Sequence, residues 1–585
     1  MKKLFYFTTT IFLITWAVAA GQIPATNIVI SKADIEKTGT SIPASAIGEP
    51  VSSVKLYTPS WVDATNDIPA YAVVEGSIFP VDPNGWPINF RVLLPASWSH
   101  RAMQAGGSGI NGIITVREGR NPMLNKGFAM YGSDAGHQAS GMGFGGMQSK
   151  PLATGPTSGD EWALNEEAVR NLGYLQMKKT HDAAMVIIER IYGERPVYNY
   201  YIGGSQGGRE GLVVAQRYPA DYDGIISDVP IVNFSTLMLA PELIRIQEKP
   251  VANWVTPLKV KVIRAEFLRQ CDNLDGLEDG VINNYLASRA IFDVTDGIGP
   301  ADPWAALRAP NGIDPNPSDT SAFAKLSNGQ IKTLELCYSP YKFTTPLANG
   351  VKSFGMWLPT ITPDDFSMIT GTRYKGQEGA SENALIHSSL GTLGVTGFLM
   401  QDIKANPLDY IEGGPLNKRR EEISEWLDAT NPDLSAFYKR GGKIIVTVGT
   451  MDNIASSGAQ LDYYQSLINK MGQKKIDDFA RLYVIPQASH GLSGKSYKMN
   501  GEGKSVIVRN IPRPNSDDKI DMLIFWVEKN QAPAKTLVVG ENGRIDVKVQ
   551  GKGYLLCSYP NYPRYIEGPT EQVSSYVSAA PVQVP

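Results

Sequence analysis

The chain has 585 residues, well beyond the roughly 150 of one ordinary domain, and its 42% hydrophobic and 19% charged content is that of a packed globular protein. Its 55 Lys and Arg against 58 Asp and Glu leave a net charge of −3, which excludes the basic stripe of a nucleic-acid binder and the charge excess of a disordered chain. Three cysteines (Cys271, Cys337 and Cys557) cannot all pair within one chain, so a disulfide scaffold is excluded too.

The first element is a targeting segment. Lys2 and Lys3 precede an apolar run from Ile11 to Val18, and Ala17, Ala19 and Ala20 offer a cleavage site after Ala19 or Ala20. Residues 1–20 therefore read as a secretory signal peptide, with a secreted or periplasmic mature protein. The apolar run is shorter than the ~20 residues of a spanning helix, so no membrane association is expected after cleavage.

Beyond a β-type run at Ile88–Leu94, strand-like segments follow at 101–105, 128–131, 197–202, 224–227, 443–448 and 481–485. Helix-period segments lie between several of them. Ala183, Val186, Ile187, Arg190 and Ile191 share one stripe, and Ile520, Leu523, Ile524 and Val527 share another after an Asn515–Ser516 start signal. Alternating strands and helices predict an α/β fold with a mainly parallel sheet covered on both faces. The alternation fails from 232 to 430, a stretch rich in Pro, Gly and Asn. That stretch is expected to be a large insertion, with 21–231 and 431–585 forming one discontinuous core.

The strongest local signal is Tyr200-Tyr-Ile-Gly-Gly-Ser-Gln-Gly-Gly-Arg-Glu210. A β-run enters Gly203-Gly-Ser-Gln-Gly207 and a helical run leaves it, the context of a G-x-S-x-G nucleophile elbow. Ser205 is the expected nucleophile, and it needs a base with an orienting acid, in the chain order Ser, acid, His. His490 lies just past a strand near the C-terminal end; His387 lies in the irregular insertion and is the weaker candidate. Asp452 follows the preceding strand, with capping of a turn or helix as its alternative role. The implied chemistry is acyl transfer: His490 takes the Ser205 proton and Asp452 holds the imidazole tautomer. The N–H of Gln206 is one oxyanion donor by position, and the loop Gly106-Gly-Ser-Gly-Ile-Asn-Gly112 is the candidate source of a second.

The other histidines have structural readings: His100 in a solvated turn, His137 as a hydrogen-bond donor near the site, and His181 on a helix face beside Lys178 and Asp182. Cys271-Asp-Asn-Leu-Asp-Gly-Leu-Glu-Asp-Gly-Val-Ile282 packs four carboxylates into eight residues. Asp272, Asp275 and Asp279, with the carbonyls of Leu277 and Val281, would make an oxygen shell suited to Ca²⁺. A solvated acidic turn is the alternative.

The combination resembles the tannase and feruloyl esterase family of α/β-hydrolases over nearly the whole mature chain. Its markers are the Gly106–Gly112 loop, Gly132-Ser-Asp-Ala-Gly-His137, Ile202-Gly-Gly-Ser-Gln-Gly-Gly-Arg-Glu-Gly211, Tyr222-Asp-Gly-Ile-Ile226, Cys271-Asp-Asn-Leu-Asp-Gly276, Gly449-Thr-Met-Asp452 and Ser489-His490. The resemblance implies a Ser205–His490–Asp452 triad and an oxyanion hole from Gly109 and Gln206. It also implies a lid inserted near Pro230, and structural calcium held by Asp272, Asp275, Leu277, Asp279 and Val281. The family pattern has a disulfide joining the residues before the nucleophile and before the His. Here those positions are Gly204 and Ser489. The partner expected for Cys271 would fall near Ser288, and Cys557 lacks its family partner as well.

These readings point to a secreted serine esterase acting on a small aromatic ester, hydroxycinnamoyl (feruloyl-type) or galloyl. The alternatives are a general carboxylesterase of the same fold and a non-catalytic calcium-stabilised binding protein. Trp304, Phe354, Trp357, Leu358 and Phe398 are candidate pocket walls. The stretch Leu390–Leu399 carries no Arg to recognise a free carboxylate, which disfavours terephthalate half-esters.

Overall fold

The computed structural model describes residues 23–119, 121–138, 152–156, 159–362, 393–545 and 551–581. The signal-type segment 1–20 and His387 lie outside the described residues, as do Leu390 to Thr392.

The frame is a 13-stranded sheet. Its strands in chain order are β1 (Ser41–Ile42), β2 (Ser53–Leu56), β3 (Ser60–Val62), β4 (Tyr71–Phe79), β5 (Ile88–Pro95), β6 (Arg101–Ala105), β7 (Phe128–Ser133), β8 (Tyr198–Gly204), β9 (Gly224–Asp228), β10 (Lys443–Gly449), β11 (Ala480–Ile485), β12 (Thr536–Gly540) and β13 (Gly553–Ser558). The spatial order is β12-β13-β11-β10-β9-β8-β6-β7-β5-β4-β2-β1, with β3 also on β4. The expected parallel sheet is its central part, from β7 through β6, β8, β9 and β10 to β11. Antiparallel strands extend it at both ends, so the complete sheet is mixed. Runs such as Ile444-Ile-Val-Thr-Val448 are buried along their length, as strands covered on both faces must be.

Helices supply that cover. In α1 (Gln176–Tyr192), Ala183, Ile187 and Ile191 of the expected stripe face the core, while Val186 and Arg190 lie at its margin. The helix stops at Gly193, whose φ of 84° is a left-handed cap. Helix α2 (Gln206–Arg217) is buried from Gln206 to Ala215. The chain then leaves the sheet after Asp228 and returns at Lys443. Between them lie α3 (Phe234–Gln247), α4 (Val260–Cys271), α5 (Tyr285–Phe292), α6 (Asn328–Tyr338), α7 (Asn417–Leu427) and a hairpin of Tyr341–Leu347 on Val351–Phe354. Phe267 centres this insertion, with Phe292 and Tyr338 each edge-on at 5.0 Å and Trp304 at 5.7 Å. Trp304 is therefore a core residue of the insertion. Helices α8 (Ser457–Met471) and α9 (Ser516–Lys529) complete the cover. The expected start signal of α9 is real: the Asn515 side chain accepts the N–H of Asp517 at 2.8 Å. Among the described residues no helix is long and apolar enough to cross a membrane.

All three cysteines are free and buried. Cys271 hydrogen-bonds Ser288, the position where a family partner was expected, and burial pushes its thiol up to about 12. Cys557 hydrogen-bonds Ser578, and burial pushes its thiol up to about 11. Both are uncharged at neutral pH and so lack the thiolate that reacts.

One buried ion pair locks α9 to the end of β9: Lys519 Nζ meets both oxygens of Asp228, at 2.6 and 2.5 Å. Removing one partner of a buried pair leaves an uncompensated charge. Lys519→Met is expected to lower unfolding free energy by about 3 kcal/mol, read from urea denaturation, because buried Asp228 loses its hydrogen-bonded partner.

Candidate active site

Strand β8 delivers Ser205 at a turn too tight for side chains on its flanks. A Cβ on Gly203 would lie 2.4 Å from the backbone of Gly207, and one on Gly207 would lie 2.6 Å from the carbonyl oxygen of Gly107. Ser205 itself sits at φ 59°, ψ −121°, a conformation rarely held by a residue with a side chain. Its N–H donates to the Asp228 carbonyl at 2.9 Å, tying the elbow to the next strand. Helix α2 begins immediately after it, so the positive end of the helix lies beside the hydroxyl.

Strand β10 ends at Gly449 and places Asp452 fully buried in the following loop. Strand β11 ends at Ile485 and leads to His490. The two loops are laced together: Met451 N–H donates to the Ala488 carbonyl at 2.9 Å, and Gln487 N–H to Thr450 Oγ1 at 2.7 Å. His490 Nδ1 lies 2.9 and 3.0 Å from the two carboxylate oxygens of Asp452. Asp452 Oδ1 also accepts the N–H groups of Ile454 (3.0 Å) and Ala455 (2.9 Å), so the alternative turn-capping role is fulfilled alongside the contact with His490. The cap of α8 is Ser456 instead. Burial draws the His490 imidazole down, and the charge and hydrogen bond of Asp452 outweigh it, leaving His490 above its ordinary value.

With Nδ1 engaged, Nε2 is the ring nitrogen left for chemistry. Ser205 and His490 share a cavity of about 220 Å³, lined also by Ser108, Gly109, Ile110, Ile231, Met238 and Ile454. Gly109 adopts φ 60°, which glycine allows without strain. Gly109 of the glycine loop lines the cavity with Ser205, and α2 starts at Gln206 directly after the nucleophile. Ile231, Met238 and Ile454 were not legible as wall residues, being ordinary apolar positions of a loop, a helix and a turn. The aromatic candidates lie elsewhere among the described residues. Phe398 packs edge-on to Trp162 at 5.7 Å, and Phe354 and Trp357 pack on each other at 6.5 Å, each in the apolar core. Leu358 is buried in a separate core cluster.

His137 is a structural donor as expected: Nε2 lies 3.0 Å from the Ile110 carbonyl, and the ring stacks on Trp162 at 3.7 Å. Burial pulls it down to about 4, so it is a neutral imidazole near pH 7. His181 contacts Asp182 at 2.9 Å. His100 corrects the reading of a solvated turn. It is buried, with Nδ1 2.6 Å from Glu194 and Nε2 2.9 Å from the Thr26 carbonyl, because the N-terminal strand folds back over it.

In the acidic loop, Asp272 and Asp275 are buried, which removes the solvated-turn alternative for both. Asp272 accepts the N–H groups of Gly280 (2.9 Å) and Gly501 (2.8 Å); Asp275 accepts that of Leu277 (3.0 Å) and bonds Asn283. Asp279 accepts the N–H of Val281 at 3.0 Å and meets the Arg509 guanidinium. The donor set, three carboxylates with the Leu277 and Val281 carbonyls, is all hard oxygen and suits calcium. Among the described residues, however, no three acidic, histidine or cysteine side chains converge as a metal cluster, since Arg509 occupies the third carboxylate.

Residues 72–579 match the sequence model of the family described as tannase and feruloyl esterase. An uncharacterized esterase of Agrobacterium fabrum is 31% identical over 545 residues, covering 90% of this chain and 89% of the relative. Mono(2-hydroxyethyl) terephthalate hydrolase of Piscinibacter sakaiensis is 26% identical, covering 88% and 85%. Among solved structures, feruloyl esterase B from Aspergillus oryzae superposes with a TM-score of 0.66 at 19% identity, covering 91% of this chain and 98% of that one. Tannin acyl hydrolase from Aspergillus niger gives 0.62 at 20% identity, covering 95% and 96%. The chain belongs to the tannase and feruloyl esterase family, and it is a carboxylic ester hydrolase with the α/β-hydrolase type of fold.

Proposed function

We propose that this esterase cleaves esters of small aromatic acids, feruloyl-type or galloyl, through a Ser205–His490–Asp452 triad. The observation that carries this reading is the cavity shared by Ser205 and His490 and walled by Ile110, Ile231, Met238 and Ile454. Apolar walls suit a planar aryl group, and convergent polar groups fix the ester over the nucleophile. As Ser205 Oγ bonds the ester carbonyl carbon, His490 Nε2 takes its proton. The carbonyl oxygen becomes an oxyanion facing the N–H groups of Gly109 and Gln206. His490 then protonates the departing alcohol oxygen, leaving an acyl-enzyme. Water attacks that carbonyl and gives its proton to His490, and return of the proton to Ser205 Oγ releases the acid.

Support for an aromatic acid comes from the relatives named for feruloyl and tannin esters. The terephthalate half-ester remains disfavoured, because Leu393–Leu399 is buried and carries no cationic side chain. The apolar walls are equally compatible with a general carboxylesterase. The N-terminal segment supports export to the periplasm or the medium. The acidic loop is proposed to hold structural calcium, supported by its all-oxygen donors, with Arg509 as the competing internal cation.

Methyl ferulate, methyl gallate and a short p-nitrophenyl ester should separate the substrate readings. Turnover of at least one aromatic ester is expected, and loss of roughly 10⁴-fold or more in Ser205→Ala. Activity confined to the aliphatic ester would end the aromatic reading, and unchanged hydrolysis by Ser205→Ala would end the triad. The base must be neutral, so activity should fall as pH drops through the raised His490 value. In Asp452→Asn that acid limb should move to lower pH while kcat falls about 10⁴-fold, measured as kcat/KM against pH. Removing calcium with a chelator should lower the melting temperature by about a few degrees. An unmoved melt would leave Arg509 as the cation of that loop.

A further inference from the structure

Helix α2 carries, just past its first turn, a carboxylate that the proposed chemistry does not use. Glu210 is fully buried, and its two oxygens accept four hydrogen bonds. Oε2 takes the backbone N–H of Gly107 (2.7 Å) and the Tyr201 hydroxyl (2.8 Å); Oε1 takes Asn111 Nδ2 (2.8 Å) and Gln176 Nε2 (3.2 Å). Two of those donors belong to the glycine loop that walls the catalytic cavity, and they bracket Gly109.

Apart from Ile110, which packs on the apolar core and whose carbonyl lies 3.0 Å from His137 Nε2, that loop has few side-chain anchors. Gly106, Gly107, Gly109 and Gly112 give it no side chains to pack, and Gly109, Asn111 and Gly112 sit at positive φ (60°, 23° and 88°). Such a segment loses much backbone entropy on ordering, so its position must come from hydrogen bonds. Its ends are fixed by Gly106 N–H on the Ile202 carbonyl (2.8 Å) and Gly112 N–H on the Asp134 carbonyl (2.9 Å). Gly207 N–H donates to the Gly107 carbonyl at 3.1 Å, while Glu210, one turn further along the same helix, takes the Gly107 N–H. One residue of the loop is thereby gripped at both its peptides, its N–H by Glu210 and its carbonyl by Gly207.

We propose that Glu210 is a positioning residue for the oxyanion hole, strapping the Gly106–Gly112 loop to the helix that carries the nucleophile so that both N–H donors move as one body. The proposal rests on the triad and oxyanion reading above. A buried carboxylate is costly, and a purely packing role would be met by an apolar side chain of similar size. Four donors saturate this one, and the Arg209 guanidinium offsets its charge against the burial that raises it. Glutamine is the discriminating replacement. It keeps the shape but removes the charge and one of the two acceptor oxygens, so the pair facing its NH₂ must turn round or lose its hydrogen bonds.

The test is Glu210→Gln measured beside Ser205→Ala on the best ester of the panel, together with affinity for phenylboronic acid. That probe forms a tetrahedral adduct on the serine oxygen, with a boron-bound oxygen in the oxyanion position. Glu210→Gln is expected to lower kcat by roughly 10²-fold, with KM within about threefold, and to weaken boronate binding by a similar factor. A kcat within about twofold of wild type, or an unchanged boronate affinity beside a fallen kcat, would overturn the strap. If Glu210→Gln does not fold, Asn111→Gly carries the test, since glycine accepts the positive φ and deletes one donor. It should reduce kcat and boronate affinity together by roughly tenfold, and no change in either would refute the proposal. Full turnover by Ser205→Ala would sink the triad itself, a result distinguishable from failure of the strap.

Discussion

The approach of backbone to backbone around Ser205 sets the terms for the rest of the molecule. Gly207 lies so near the carbonyl of Gly107 that a single methyl group would separate them. This closeness brings the nucleophile, the start of α2 and the glycine loop into one small volume. It forces Ser205 into positive φ, and that strain persists only if the surroundings over-determine it. They do so through β9, which accepts the Ser205 N–H at Asp228 and is in turn pinned to α9 by Lys519. The sheet is the fixed reference against which the elbow is bent.

The same helix also fastens the insertion. Arg209, fully buried, donates to the carbonyls of Leu172, Gly173 and Leu427, the last at the end of α7. Adjacent residues of one helical turn therefore point opposite ways, Glu210 into the glycine loop and Arg209 towards the lid. Asp428, beside the Arg209 contact, accepts the Ser235 N–H and hydroxyl and so ties the exit of the insertion to its entry. At Arg209 and Asp428 the insertion meets the sheet core through saturated polar groups in place of a purely greasy seam. Such a junction fixes one orientation, because any slip would strand buried donors.

Much of this was legible in the residues. The central strands and the α9 cap follow from β-branched runs and from Asn515, because these signals are local. The elbow was legible because its glycines are a steric requirement visible in sequence, and Asp452 and His490 because each follows a strand. Of the antiparallel flanks only β5 was legible, as the Ile88–Leu94 run; strands as short as β1 to β3 leave little period to count. His100 looked solvated because its neighbours are small and polar, whereas its burial depends on residue 26 returning across it. The cavity walls eluded the reading for the same reason: nothing local distinguishes Ile231 or Met238 from any core residue. Glu210 stood in plain view within the nucleophile motif, but its partners in the glycine loop, Gly107 and Asn111, lie about a hundred residues upstream.

The thiols of Cys271 and Cys557, each resting on a serine hydroxyl, carry a consequence for how the molecule is made. Order around the triad comes from interlocked backbone between the Asp452 and His490 loops, and no sulfur–sulfur bond takes part. The native state is therefore reached without forming a disulfide. Burial of the three thiols in the native fold is what then keeps them from pairing wrongly.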